Sequence, residues 1–182
     1  LSAIAGGSST FTDNSSDLIL GQTPPSLARS GNGLSVTYTS PGTSANLLYT
    51  VPGALSTLWN NNFMLLTLGP GIYAAGGNFY QGNNGNIVAN KSMSVTARNG
   101  IDSDNAITDP QSSVTDFLGW VSTSTLTSLT AGPGSTASPF SYTTLDNMTL
   151  SNYQEPPPAY VPAPLPIAAT FGAFAMARRL RR

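Results

Sequence analysis

The sequence predicts an all-β protein, a sandwich or jelly roll, from three observations. Short runs of β-forming residues alternate with turn clusters at close spacing between residues 21 and 152, the pattern of packed antiparallel sheets. Several of those runs alternate apolar and polar residues strictly, as a strand with one buried face does. Charged residues make up only 8% of the 182 residues, against roughly 25% in an average soluble domain. Ser and Thr supply about a quarter of the chain, so hydroxyls, amides and backbone must meet the solvent.

In chain order, residues 1–20 read as an N-terminal arm. Residues 6–17 are too polar to pack as a helix, and the arm ends in the apolar run Leu18-Ile19-Leu20. That run suits pairing with a sheet edge, in its own body or in a neighbouring copy. The body spans 21–152. Within it Leu34, Val36 and Tyr38 share one face of a strand, and Leu47, Tyr49 and Val51 are expected to do the same. The stretch Phe63 to Leu68 is almost continuously apolar, which suits a central strand buried on both faces. Met93, Val95 and Ala97 alternate with Ser92, Ser94 and Thr96, and the runs 114–121, 126–130 and 140–150 complete the set. Ser56 to Asn61 is the one short helix expected inside the body. Asn32-Gly33, Gly53, Gly69-Pro70-Gly71 and Asn99-Gly100 punctuate the strands; Asn and Gly supply the positive φ of tight hairpins.

Residues 153–166 form a proline-rich spacer, disposed to an extended polyproline helix that reaches about 35 Å over 155–166. Residues 167–182 follow as an apolar helix with a basic end, Arg178, Arg179, Arg181 and Arg182. Motif, hydrophobic segment and terminal arginines stand in the order of a bacterial surface-sorting signal. The tail resembles that of the PEP-CTERM family of exported proteins. Val161-Pro162-Ala163-Pro164-Leu165-Pro166 looks like its Val-Pro-x-Pro-Leu-Pro variant, with Ala163 where the commoner form has Glu. The resemblance covers about the last 22 residues. It implies secretion through a signal peptide, consistent with a chain starting at Leu1, recognition by an exosortase-type processing enzyme, and a destination on the cell surface or in the extracellular matrix.

The segment Leu165 to Ala177 spans roughly 20 Å as a helix, short of the ~30 Å hydrocarbon core of a bilayer. Ala168 with Gly172, Ala169 with Ala173, and Ala173 with Ala177 form strips of small residues four apart, flanked by Phe171 and Phe174. Such strips allow close helix approach, and the expected partner is another copy of the same protein.

The sequence has neither His nor Cys. That removes the Ser-His-Asp triad, the Cys-His pair, His-ligated metals and disulfides. General acid–base work would fall to carboxylates, and Asp102, Asp104, Asp109 and Asp116 are the pair-forming candidates for a glycosidase, the least favoured reading. Asp102, Asp104 and Asp109 also suggest a calcium loop. The sixth and twelfth positions of an EF-hand there would be Ile107 and Ser113, neither of which fits. Sequons at Asn14, Asn90 and Asn147 match chance expectation in so polar a chain. Trp59 with Asn60-Asn61-Asn62, and Phe79-Tyr80 beside Gly76-Gly77-Asn78, are candidate sugar platforms. Residues 1–177 carry three basic against eight acidic side chains, a net of −5, which offers nucleic acid no electrostatic footprint.

The expected protein is thus a structural, non-enzymatic one without cofactors, exported and self-assembling into a surface filament or tube. The alternative is a surface or matrix module that binds extracellular polysaccharide. Its expected partners are copies of itself and the processing enzyme.

Overall fold

Leu34, Val36 and Tyr38 turn to one side of their strand while Ser35, Thr37 and Thr39 turn to the other, and the same two-residue period recurs through most of the chain. A computed structural model describes residues 9–21, 24–41, 47–51, 53–58, 62–83, 86–87, 91–108, 117–134 and 142–153. The described strands are β1 (Thr10–Asp13), β2 (Ser26–Gly31), β3 (Leu34–Thr39), β4 (Leu48–Val51), β5 (Ala54–Thr57), β6 (Met64–Leu68) and β7 (Ala74–Asn83). They continue as β8 (Asn86–Ile87), β9 (Met93–Arg98), β10 (Ser103–Ile107), β11 (Phe117–Val121), β12 (Ser128–Pro133) and β13 (Tyr142–Ser151).

Two antiparallel sheets face each other as a β-sandwich, the fold class the alternation predicts. The first runs β11–β7–β13–β5–β4, with β1 also on β13 and β8 on β7; the second runs β10–β9–β12–β6–β3–β2. The core lies between them: Val36, Tyr38, Met64, Leu66, Met93, Val95 and Leu129 from the second sheet meet Leu55, Phe79, Leu145, Met148 and Leu150 from the first. Among the described residues, side-chain hydrogen bonds cross this core at three places. Gln81 Nε2 donates to the Ser92 carbonyl at 2.8 Å, Thr143 Oγ1 to the Asn62 carbonyl at 2.8 Å, and Tyr38 Oη to Asp13 Oδ2 at 3.0 Å. Each satisfies a group that would be costly to bury unpaired.

β1 closes one side of the sandwich, so part of the N-terminal arm belongs to the sheet of its own body. It pairs with β13 from Thr10–Ser151 to Asp13–Met148. The Asn32 amide at the β2–β3 turn donates to the Thr10 carbonyl at 2.6 Å. That turn has positive φ at both Asn32 (54°) and Gly33 (78°), the two-residue hairpin that Asn-Gly encodes. Leu18 packs partly against the core, whereas Ile19 and Leu20 are exposed at 66% and 61%. Residues 18–20 therefore form no strand; the Gly21 amide and the Thr50 hydroxyl fasten this turn to β4.

Three other expectations are corrected. Ser56 and Thr57 lie in β5, not in a helix, because pairing with β4 and β13 supplies hydrogen bonds that a short helix cannot match. In β4 Leu48 and Thr50 are buried, whereas Leu47, just before the strand, and Tyr49 are only half-buried. The inner face expected from Leu47, Tyr49 and Val51 is therefore not the one observed at the first two; the side chain of Val51 lies outside the described residues. Thr50 sits opposite Leu55, which sits opposite Leu145, so the core phase of β13 is passed outward to the edge. β6 is central yet buried on one face only: Met64, Leu66 and Leu68 are inside, while Leu65 is half-buried and Thr67 exposed. The outer face of this second sheet is left to solvent.

β13 contains a register shift between Asp146 and Thr149. Asn147 holds the extra residue at a φ of 51°, where Asn tolerates the left-handed conformation that β-branched residues do not. Inward residues change parity across the bulge, from Leu145 to Met148 and Leu150. Asn147→Gly is expected to preserve stability, whereas Asn147→Val is expected to lower the unfolding free energy by about 1–2 kcal/mol, measured by chemical denaturation.

Candidate functional site

The bulge decides what the outer face of the first sheet displays. With Met148 and Leu150 turned inward, Thr149 and Ser151 take the other face, and strand registers align their neighbours in rows. Thr149 is half-buried there, and Ser151 is 8% exposed with its hydroxyl accepting from the Tyr153 amide at 3.0 Å. One row is Val121–Ala74–Ser151–Thr10, the next Gly119–Gly76–Thr149–Thr12, and the third Phe117–Asn78–Asp146.

In the middle row Gly119 and Gly76 leave a gap, and the Phe117 ring lies down into it. A Cβ built on Gly76 would stand 2.6 Å from Phe117 Cζ and 2.5 Å from the Leu118 carbonyl oxygen; one on Gly119 would stand 2.7 Å from Phe117 Cε1. Gly77 does the same service on the inner face, where its Cβ would meet Leu145 Cδ1 at 2.6 Å. Adjacent glycines thus seat one large side chain on each side of β7. Phe117 and Val121 remain about half exposed, at 48% and 49%.

Between them opens a groove of about 230 Å³ over Ala74 and Gly76, with Thr149 and Ser151 along its far side and Trp120 and Leu150 among its lining. Among the described residues, no ionisable side chain lines it. An exposed aromatic face, a floor of glycine backbone and one alanine methyl, and a hydroxyl flank can bind a ring with an apolar C–H face and hydroxyl edges.

A second, smaller cleft of about 150 Å³ lies between the β9–β10 turn and β11, and Trp120 and Val121 line both cavities. Asp102 and Asp104 line this cleft, and both are exposed; Asp109 and Asp116 fall outside the described residues. The Asn99 side chain accepts from the Ile101 and Asp102 amides at 3.2 and 2.8 Å, which accounts for this polar stretch as a hairpin turn. Among the described residues, no three acidic side chains come together to hold a metal.

The other concentration of charge is at the β1–β2 side. Arg29 is bidentate to exposed Asp17 at 2.8 and 2.9 Å, and its Nε lies 3.6 Å from Asp13. These hydrogen bonds hold the Asp17 carboxyl below its ordinary value. Burial, reinforced by the Asp13 charge, pushes the Tyr38 hydroxyl far above its ordinary range, so it stays a donor to Asp13. At the third row, burial chiefly, and then the Asp13 charge, raises Asp146. Burial followed by the Asp146 charge pushes Tyr80 up to about 12.

The Phe79-Tyr80 sugar platform is corrected: Phe79 points into the core and Tyr80, on the other face of β7, is buried at 4%, so neither ring is presented to solvent. Gly76 from the same cluster does floor the groove. Asn62 is buried, and Trp59, Asn60 and Asn61 lie outside the described residues. So do the motif Val161–Pro166, the small-residue positions 168–177 and the arginines at 178–182. Phe117, Gly119 and Thr149 were not expected; the alternation Phe117–Gly119–Val121 around Leu118 and Trp120 was their only local signal.

No protein-family model and no curated protein matches the chain. Among solved structures it is similar to a family two carbohydrate esterase from Cellvibrio japonicus, with 15% sequence identity and a TM-score of 0.41. The match covers 87% of this chain and 37% of that one, so the chain spans a little over a third of that protein's length.

Asp146 yields a test with a definite sign. Its folded value lies above its unfolded one, so its charge costs stability at neutral pH, and the cost is relieved as the carboxyl takes up a proton. Asp146→Asn is expected to raise the melting temperature at pH 7. That gain should fade as pH falls through the raised value toward the ordinary carboxyl range, as followed by thermal denaturation across pH.

Proposed function

We propose that this protein is a non-catalytic, surface-displayed module that binds a neutral extracellular polysaccharide in the groove between Phe117 and Val121. The observation that carries this reading is the Phe117 ring, half exposed and lying over Gly76 and Gly119, beside Thr149 and Ser151. Stacking of a sugar ring on an aromatic face removes apolar area from water without needing charge. The hydroxyls offer donors and acceptors to the ring's edges, and the uncharged lining favours a neutral glycan over a uronic one.

The PEP-CTERM-like tail is the proposed delivery device, with an exosortase-type enzyme as its partner and the cell surface or matrix as its destination. Glycan binding is favoured over polymer formation because the strand-forming part of the arm, residues 10–13, pairs with β13 of its own chain. Self-assembly then rests on the small-residue strips of residues 168–177, and no role with nucleic acid is proposed for so acidic a body.

Wild-type protein is expected to be depleted from solution by insoluble cellulose or xylan. Phe117→Ala should weaken that retention at least about tenfold, the loss of roughly one aromatic contact, with an unchanged circular dichroism spectrum. Equal retention of the two proteins would refute the groove as the site.

A further inference from the structure

We propose that the polysaccharide crosses the strands instead of lying along them, passing from Phe117 over Gly76 to Thr149 and Thr12, so that β1 supplies the far end of the site. This rests on the reading of the groove as a glycan site and extends it to a ligand class: an unbranched, neutral chain of several sugars.

The registers define the path. Gly119 faces Gly76, Gly76 faces Thr149, and Thr149 faces Thr12. These positions span four strands, and at ~4.8 Å between neighbours the row is about 14 Å long, the reach of an oligosaccharide and too long for a single ring. Chemistry changes along it. At the β11 end Phe117, Val121 and Ala74 offer apolar surface; at the β1 end Thr12 is exposed and its hydroxyl lies 3.2 Å from that of Thr149. The Thr149 hydroxyl also donates to the Asn147 carbonyl at 3.4 Å, so it keeps acceptor capacity, and the exposed Thr12 hydroxyl keeps capacity beyond the bond the pair shares. Thr10, one row away, is also exposed.

The path along β7 is closed toward its C-terminal end. Beyond Gly76 on the same face come Asn78 and Tyr80, buried at 7% and 4%, and the Phe117 ring stands over the approach. Toward β11 the sheet ends. A chain seated on Phe117 therefore meets apolar Ala74 and Val121 along β7, and hydroxyls across β13 and β1. A flat, extended ribbon of the β-1,4-linked kind fits such a shallow trough, and branches at its β11 end would strike the half-exposed Phe117 or Val121 side chains that flank it.

Calorimetric titration of the full chain with cellobiose, cellohexaose, xylobiose and xylohexaose tests this. Wild-type protein should bind a hexamer more tightly than its dimer. The double variant Thr12→Val/Thr149→Val, which keeps shape and strand preference, should weaken hexamer binding about tenfold, the effect of one or two hydrogen bonds, and leave dimer binding unchanged. Phe117→Ala should weaken both lengths. If hexamer and dimer bind wild type equally, or the double variant holds the hexamer as wild type does while Phe117→Ala still loses it, the cross-strand path is wrong and the groove reading survives. If Phe117→Ala changes nothing, or no probe binds wild type, both are wrong.

Discussion

The extra residue in β13 governs both faces of the first sheet. Before Asn147 the inward side chain is Leu145; after it, Met148 and Leu150. A strand without the bulge would keep one parity and drive Thr149 and Ser151 into the core while exposing Met148 and Leu150. Since β13 is bonded to β7 along most of its length, and to β5 before and β1 after the shift, this single irregularity sets the phase of four strands. The hydrophobic core and the hydroxyl flank of the groove are two results of the same event.

A body with so few charges must use those it has locally. The Asp13–Arg29–Asp17 group gathers where β1 meets β2, the place where the two sheets come together at an edge. Tyr38 reaches it from the core, so an interior phenol and a rim ion pair share one carboxylate. The exposed half of this arrangement, Asp17 with Arg29, contributes little by itself in high dielectric. Its effect is to orient Arg29 beside the more enclosed Asp13. Among the described residues no ionisable side chain lines the groove itself, with Asp146 one row away and Asp102 and Asp104 in the neighbouring cleft. That separation leaves the groove suited to ligands recognised by stacking and hydroxyl contacts.

Strand identity was legible where alternation was clean, as at Leu34–Thr39 and Met93–Arg98. It failed where two neighbours were both apolar: Leu47 and Leu48 fit either phase, and only the chain of registers through Leu55 and Leu145 chooses. Ser56 to Asn61 looked helical because local preference was weighed without the partner strands that override it. Phe63 to Leu68 looked doubly buried because an apolar run says nothing about how many layers a fold has. The groove was hidden for a related reason. Its parts come from residues near 76, 119 and 149, and nothing in linear spacing reveals that these share a row.

Trp120 has a consequence of its own. It is one of two tryptophans in the chain, packs partly against the core, and touches both the groove and the neighbouring cleft. Displacing water from either cavity changes the polarity around its indole, so the protein carries an intrinsic fluorophore at the junction of its two concave surfaces. Occupancy there can be followed by emission without attaching a dye.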